Sequence, residues 1–325
     1  MIIAMPPAAR STALVLGAGG FTGQAFHLGV LCALQEVTGF DGRRADILVG
    51  TSAGSLVAAG LAGGMSVSDL AAELTGDLLS AEGAAIRARP TIPFGELPAE
   101  APLRGRGPLD AAVLLSAARR PFATRPAALV SSLLPRGRHS TEPIARGFRY
   151  LHGADWPDRD LRICAVRARD ARRVVFGTPG APTTDVGTAV AASCAIPAYF
   201  QPVSIGGHTY VDGGVHSPTN ADVVLADRPD RVIVLSPMSV GRRPGPRADL
   251  AIRLALRRYL ALEVRRLRRA GAQVTVIQPS PTDLTAMGMN PMRGARVGDV
   301  LQSAADSVRA RLQAQPALRD QLAGP

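Results

Sequence analysis

The chain has 325 residues and a mass of 33.8 kDa, enough to bury a sizeable core in one large α/β domain or in a domain with a smaller appendage. Hydrophobic residues make up 46% of it, yet no window approaches the roughly 18 to 20 uninterrupted apolar residues that cross a bilayer, which predicts a soluble, cytoplasmic protein. The net charge of +11 comes from arginine alone, since lysine is absent; with 4% aromatic residues and no zinc, helix-turn-helix or RNP-type signature, no nucleic-acid partner is expected, and an anionic membrane surface or anionic substrate suits the charge better.

Met1 to Arg10 holds an apolar patch without a basic stretch leading into a long apolar one, so no secretory signal is expected. Ala13 to Leu16 reads as a short strand ending in the glycine-rich run Gly17-Ala18-Gly19-Gly20-Phe21-Thr22-Gly23. A helix over about 24–37 follows, with Phe26, Val30, Leu31 and Leu34 at helical spacing. Ile47 to Val49 is a second strand, followed by Gly50-Thr51-Ser52-Ala53-Gly54 and a helix to about Leu61. This β-α-β-α opening predicts a parallel sheet covered by helices.

From about 84 to 147 the text turns Pro-, Arg- and Ala-rich, with apolar pieces at 111–118 and 127–134; it reads as an irregular helical, lid-like insertion. Strand-like runs resume at Leu161 to Val166 and Arg173 to Phe176, a helix is expected over Thr188 to Ala195, and Arg231 to Leu235 and Gln273 to Ile277 read as strands. Between those last two, Ile252 to Ala270 forms a basic helix. At 100° per residue it places Ile252, Leu256, Tyr259, Leu260 and Leu267 on one arc and Arg257, Arg258, Arg265, Arg268 and Arg269 broadly opposite. Its arginine face is either a solvated cover on the sheet or a peripheral contact at the inner membrane surface. Cys32, Cys164 and Cys194 lack metal-type spacing and read as small buried hydrophobes in a reducing compartment.

The run Gly50 to Gly54 is a G-x-S-x-G pattern between a strand and a helix, which makes Ser52 a candidate nucleophile on a strained turn. A serine hydroxyl needs a base, and the oxyanion formed on attack needs preorganised donors. Glycines at 17–23 can present backbone N–H groups at a helix N-terminus without side-chain obstruction. The five histidines, His27, His139, His152, His208 and His216, give no triad spacing. Asp212, at the end of a β-like segment and followed by Gly213 and Gly214, is either a buried base or a plain turn-former.

Taken in order, Gly17 to Gly23, Gly50 to Gly54 and Asp212-Gly213-Gly214 resemble the three motifs of the patatin-like phospholipases. The segment Ala192 to Pro202 is similar to the one that precedes the family's aspartate strand. The resemblance runs from about Leu14 to Val224 and implies a three-layer α/β/α fold with a mainly parallel sheet, a catalytic domain over 12–225 and a C-terminal extension over 226–325 packed on the same body. It further implies a metal-free, cofactor-free Ser-Asp dyad acting on lipid acyl esters. Carried onto this chain, Ser52 is the nucleophile, Asp212 the base, and the N–H groups of Gly19 and Gly20 the oxyanion donors. Gly50 and Gly54 frame the nucleophile turn, and Gly17, Gly23, Gly213 and Gly214 support the motifs. Two positions depart from the family pattern: Ala18, where a glycine is usual, and Thr22, where many members carry a basic residue.

Three other readings compete. An esterase or thioesterase on soluble acyl donors would use the same chemistry. A nicotinamide-dependent reductase could use Gly17, Gly20 and Gly23 as a cofactor turn with Asp41 on a ribose, but such reductases rely on a tyrosine-lysine pair and lysine is absent. A non-catalytic lipid-binding module has no need of both Ser52 and Asp212.

Overall fold

The computed structural model describes residues 11–88, 137–241 and 248–323. Its centre is one eight-stranded sheet in the order β5-β6-β3-β2-β1-β7-β8, with β4 added on β3. The strands are β1 (Thr12–Leu16), β2 (Ile47–Thr51), β3 (Asp160–Arg167), β4 (Arg172–Phe176), β5 (Val203–Ile205), β6 (His208–Asp212), β7 (Arg231–Leu235) and β8 (Gln273–Ile277). Strands β3, β2, β1, β7 and β8 run parallel to one another, whereas β4 and β6 are antiparallel to β3, and β5 is antiparallel to β6. The sheet is mostly parallel, as the fold class requires, with an antiparallel margin that carries Asp212 at the end of β6.

Helices cover both faces. Side chains alternate along each strand, so Leu14, Leu16, Leu48, Ile163, Ile233 and Leu235 bury against one helical layer. That layer holds α1 (Gly20–Thr38), α2 (Ala53–Ala62), α6 (Val186–Ser193) and α9 (Val297–Ala314). Ala13, Val15, Val49, Val232, Val234 and Val274 point the other way, onto Leu260, Val264 and Leu267 of α7 (Leu250–Arg269). Shorter helices fill the periphery: α3 (Val67–Thr75), α4 (Ala81–Arg87), α5 (Glu142–His152), α8 (Pro281–Met287) and α10 (Pro316–Leu322). No helix among the described residues is long and apolar enough to cross a membrane.

The strands at 231–235 and 273–277 stand where the β-branched runs predict them. Helix α1 starts four residues before the expected position, at Gly20, because tertiary contacts rather than propensity hold its first turn: Thr22 N–H donates to Pro291 O at 3.2 Å. Most of the expected insertion at 84–147, both apolar pieces included, lies outside the described residues; α4 and α5 stand at its two ends. Two expectations are corrected. Ile252 is 63% exposed rather than on the packed arc, because the inward face of α7 is set by Leu260, Val264 and Leu267, about two to four turns on. Cys32 is half-buried, while Cys164 and Cys194 are fully enclosed.

Candidate active site

Strand β2 ends in a turn whose apex is Ser52, with φ 52° and ψ −122°. A side chain at such angles costs on the order of 1–3 kcal/mol, and the surroundings must hold it there. They do so with three bonds. Ser52 N–H donates to Ser193 Oγ at 2.8 Å, Ser193 Oγ donates in turn to the Cys164 carbonyl at 2.6 Å, and the Ser52 carbonyl accepts from Ser55 Oγ at 2.6 Å. Tight packing completes the turn. A Cβ at position 54 would run into the Leu16 carbonyl, so only glycine lets α2 start this close to β1.

Asp212 arrives by a longer route. Strand β3 pairs along one edge with β2 through Asp160 to Cys164 and, further along that same edge, with β6 through Ala165 to Arg167; β4 takes the opposite edge. Thr51 lies opposite Cys164 and Asp212 opposite Ala165, so Asp212 is set one step beyond the last residue of β2. The Ser52 side chain acts on the Asp212 carboxyl and favours its ionised form. Gly214 N–H donates to Asp212 Oδ1 at 2.7 Å, and Asp212 N–H is tied to Ala195 O at 3.0 Å.

Asp212 is 5% exposed. Burial pushes its carboxyl up to about 6, against an ordinary 3.8, while the Ser52 side chain and the bond from Gly214 pull it back. A carboxylate so poised is ionised at neutral pH and more basic than one in water. Burial also raises the Cys164 and Cys194 thiols, so both stay protonated at neutral pH.

The glycine-rich turn lies beside this pair. Leu16 is opposite Gly50 in the β1–β2 ladder, and the next residues of the two strands lead into the two turns together. Gly17 N–H donates to Leu235 O at 3.0 Å and Ala18 N–H to Pro218 O at 2.7 Å, whereas the N–H groups of Gly19 and Gly20 find no acceptor among the described residues. Gly20 has φ +61°, and a Cβ there would sit 2.7 Å from Pro291 O. His27 fastens the turn from below through a 2.7 Å bond between Nε2 and Gly17 O; burial lowers its pKa to about 4, so the ring is neutral and its role is to hold backbone. His152 is likewise bound to a carbonyl, Ala59 O at 2.8 Å, and His139 packs on Tyr199.

Several residues around this centre carry no signal in the sequence. Ser193 could be suspected only from its place in the segment before the aspartate strand. Asn220, whose Nδ2 donates to Thr51 Oγ1 at 3.1 Å and to Gly213 O at 3.3 Å, and Glu263 on α7, buried beneath the loop after Asp212, have no motif at all. Asp41, the alternative ribose-binding acid, is occupied with Arg43, whose Nε donates to it at 2.9 Å.

An α/β sheet with a serine on a strained strand-to-helix turn, a buried carboxyl against it and a free-amide glycine turn alongside defines a hydrolase-like architecture. The chain belongs to the patatin-like phospholipase family, whose sequence model matches residues 14–225. That membership supports lipid acyl hydrolase activity in general, and members of the family act on lipid substrates. No curated protein matches the sequence. Among solved structures, VipD from Legionella pneumophila is similar at 14% identity and a TM-score of 0.40, over 95% of this chain and 67% of that one; nothing below rests on that likeness.

Proposed function

We propose that this chain is a serine acyl hydrolase that cleaves ester bonds of lipids, phospholipids among them, through a Ser52–Asp212 dyad and an acyl-enzyme intermediate. The observation that carries this reading is the strained Ser52 turn set next to the buried Asp212 carboxyl by the register of β2 and β6 along β3. Asp212 takes the hydroxyl proton as Ser52 Oγ attacks the acyl carbon. The negative charge that develops on the carbonyl oxygen is met by the free N–H groups of Gly19 and Gly20, at the positive end of the 19-residue helix α1. Collapse expels the alcohol, which leaves with the proton from Asp212. Water, deprotonated by Asp212 in its turn, then releases the fatty acid and restores Ser52. The sequence needs no metal, so a chelator leaves turnover unchanged.

Labelling with a fluorophosphonate probe tests this, with hydrolysis of a short-chain chromogenic ester measured on the same samples. Wild type should label and turn over, and Ser52→Ala should do neither. A folded wild type that does not label would overturn the reading and favour a binding module.

Residues 12–225 would then form the catalytic unit and 226–325 complete the same body. The outward face of α7 supports a second element, peripheral contact with an anionic membrane. Arg258, Arg265, Arg266, Arg268 and Arg269 are exposed there together with Leu254 and Leu262, which are 38% and 51% accessible. The one acidic residue in the helix, Glu263, points inward. Arginine stems and leucines would enter the headgroup layer while the guanidinium groups pair with lipid phosphates. Vesicle association should rise with anionic lipid and fall with salt; equal binding to neutral vesicles would exclude it.

A further inference from the structure

After Asp212 the chain does not leave the site at once. It makes a short helical turn at Gly213–Val215 and then crosses the ends of β1 and β2 as far as Ala221. Along that crossing it touches each part of the proposed machinery. Pro218 O accepts the Ala18 N–H of the glycine-rich turn at 2.7 Å. Asn220, held at φ 49°, donates from Nδ2 to Thr51 Oγ1, the residue before the nucleophile, and to Gly213 O, the residue after the base. Three segments far apart in sequence are therefore referenced to one loop.

That loop is gripped from below by a single side chain. Glu263 is 1% exposed; its Oε1 accepts from Ser217 Oγ at 2.5 Å, and its Oε2 accepts from Thr219 Oγ1 at 2.6 Å and from Ala221 N–H at 3.0 Å. All three donors lie on the loop. Among the described residues no bond joins Glu263 to a cation, and nearby Asp222, itself paired with Arg173, repels it. Burying a carboxylate costs several kcal/mol even when it is hydrogen-bonded, and an apolar side chain would cover the sheet here as Val264 and Leu267 do. What the carboxylate supplies is three directed bonds.

The geometry points to Glu263 as a positioning residue: by fixing Ser217, Thr219 and Ala221 it sets Pro218 and Asn220, and through them the glycine-rich turn and the Ser52 turn against Asp212. Its effect on turnover rests on the hydrolase reading above; its effect on the geometry of the two turns does not. Glu263 lies outside the residues matched by the family, so a side chain of the C-terminal region completes the site of the N-terminal one.

The test is Glu263→Gln. The amide keeps the volume and leaves a carbonyl for Thr219 and Ala221, but it turns an N–H₂ toward Ser217 Oγ, which already accepts from Asn220 N–H at 3.2 Å and Thr219 N–H at 3.4 Å. The Ser217 hydroxyl then loses its acceptor. The expected result is a protein with near-wild-type Tm whose kcat on a short-chain ester falls about tenfold while KM stays put, the signature of lost alignment rather than lost binding. Amide exchange should quicken in the peptides over 16–22 and 50–53 but not in β7 and β8. Ser217→Ala should act likewise and add little on top of Glu263→Gln. Wild-type kcat and exchange in the variant would overturn the proposal, and so would exchange that rises equally across the whole sheet. A wild type without turnover would sink the hydrolase reading, and the exchange pattern would still decide the role of Glu263.

Discussion

Ser52 and Asp212 meet at the end of one sheet, yet the molecule places them by opposite routes. The Ser52 turn is a local product: five residues, Gly50 to Gly54, where a strand passes into a helix are enough to define it, and the contacts that hold it mostly brace a conformation already implied by the order strand, turn, helix. Asp212 has no such local frame. It is delivered by the length of β3, which outruns β2 and offers the spare edge to β6, and it is kept there by Ala195 O and by a loop clamped from α7. The difference teaches that one half of this site is shaped by its own residues and braced from a distance, while the other half exists only through distant contacts.

The largest effect should come from the local half. Ser52→Gly should abolish turnover and probe labelling as Ser52→Ala does, a fall of about a thousandfold or more. It should also raise stability by about 1 kcal/mol, because φ 52° with ψ −122° suits glycine. Thermal melting of the two variants side by side reads this. A Gly variant no more stable than the Ala variant would mean that the turn stores no strain.

Asp212→Asn should cost about 10²- to 10⁴-fold in turnover. Retention of most activity would move the base to another residue. The same substitution sharpens the comparison through stability. The folded-state pKa of Asp212, about 6, lies above its ordinary 3.8, so the folded chain binds this proton more tightly than the unfolded chain does. Asp212 therefore destabilises the fold increasingly as pH rises from 3.8 to 6, and fully above that. Asp212→Asn should be more stable than wild type by on the order of 2 kcal/mol at pH 8, with the advantage gone below pH 4. Urea unfolding at the two pH values measures it.

In kinetics the same group should give kcat/KM an acid limb: the rate falls as pH drops through about 6, where the base takes up its proton. A limb near pH 4 would show a solvated carboxylate and a looser base strand than the one described. The smallest effect on chemistry belongs to the outer face of α7. Arg258→Glu with Arg265→Glu should abolish association with anionic vesicles while turnover of a soluble ester stays within about twofold, since exposed charges act on the bilayer and not on Ser52. Loss of ester turnover in that variant would tie the outer face of α7 to the site.

Much of this molecule can be read from its residues one stretch at a time. β-Branched runs mark β7 and β8 to the residue, the glycine-rich and serine turns announce themselves by spacing, and Asp212 stands out through the two glycines behind it. Less is legible where small residues carry the packing. Helix α9 meets α1 through Ala304 and Ala305, and its Leu301 carbonyl lies over Gly29, an apolar stripe too thin to register as periodicity.

What the sequence determines alone is therefore what short-range sterics and solvation decide: the strand and helix alternation, the strained serine turn, the glycines that free backbone N–H groups, and the fold class that follows. Only the tertiary structure decides that β6 joins the edge β2 leaves open, that the amides of Gly19 and Gly20 meet no acceptor among the described residues while that of Ala18 does, that Ile252 faces out, and that Glu263 reaches the loop after Asp212. Those are matters of register and of which buried polar group finds which partner, and a carboxylate forty residues or more from its donors leaves no local trace.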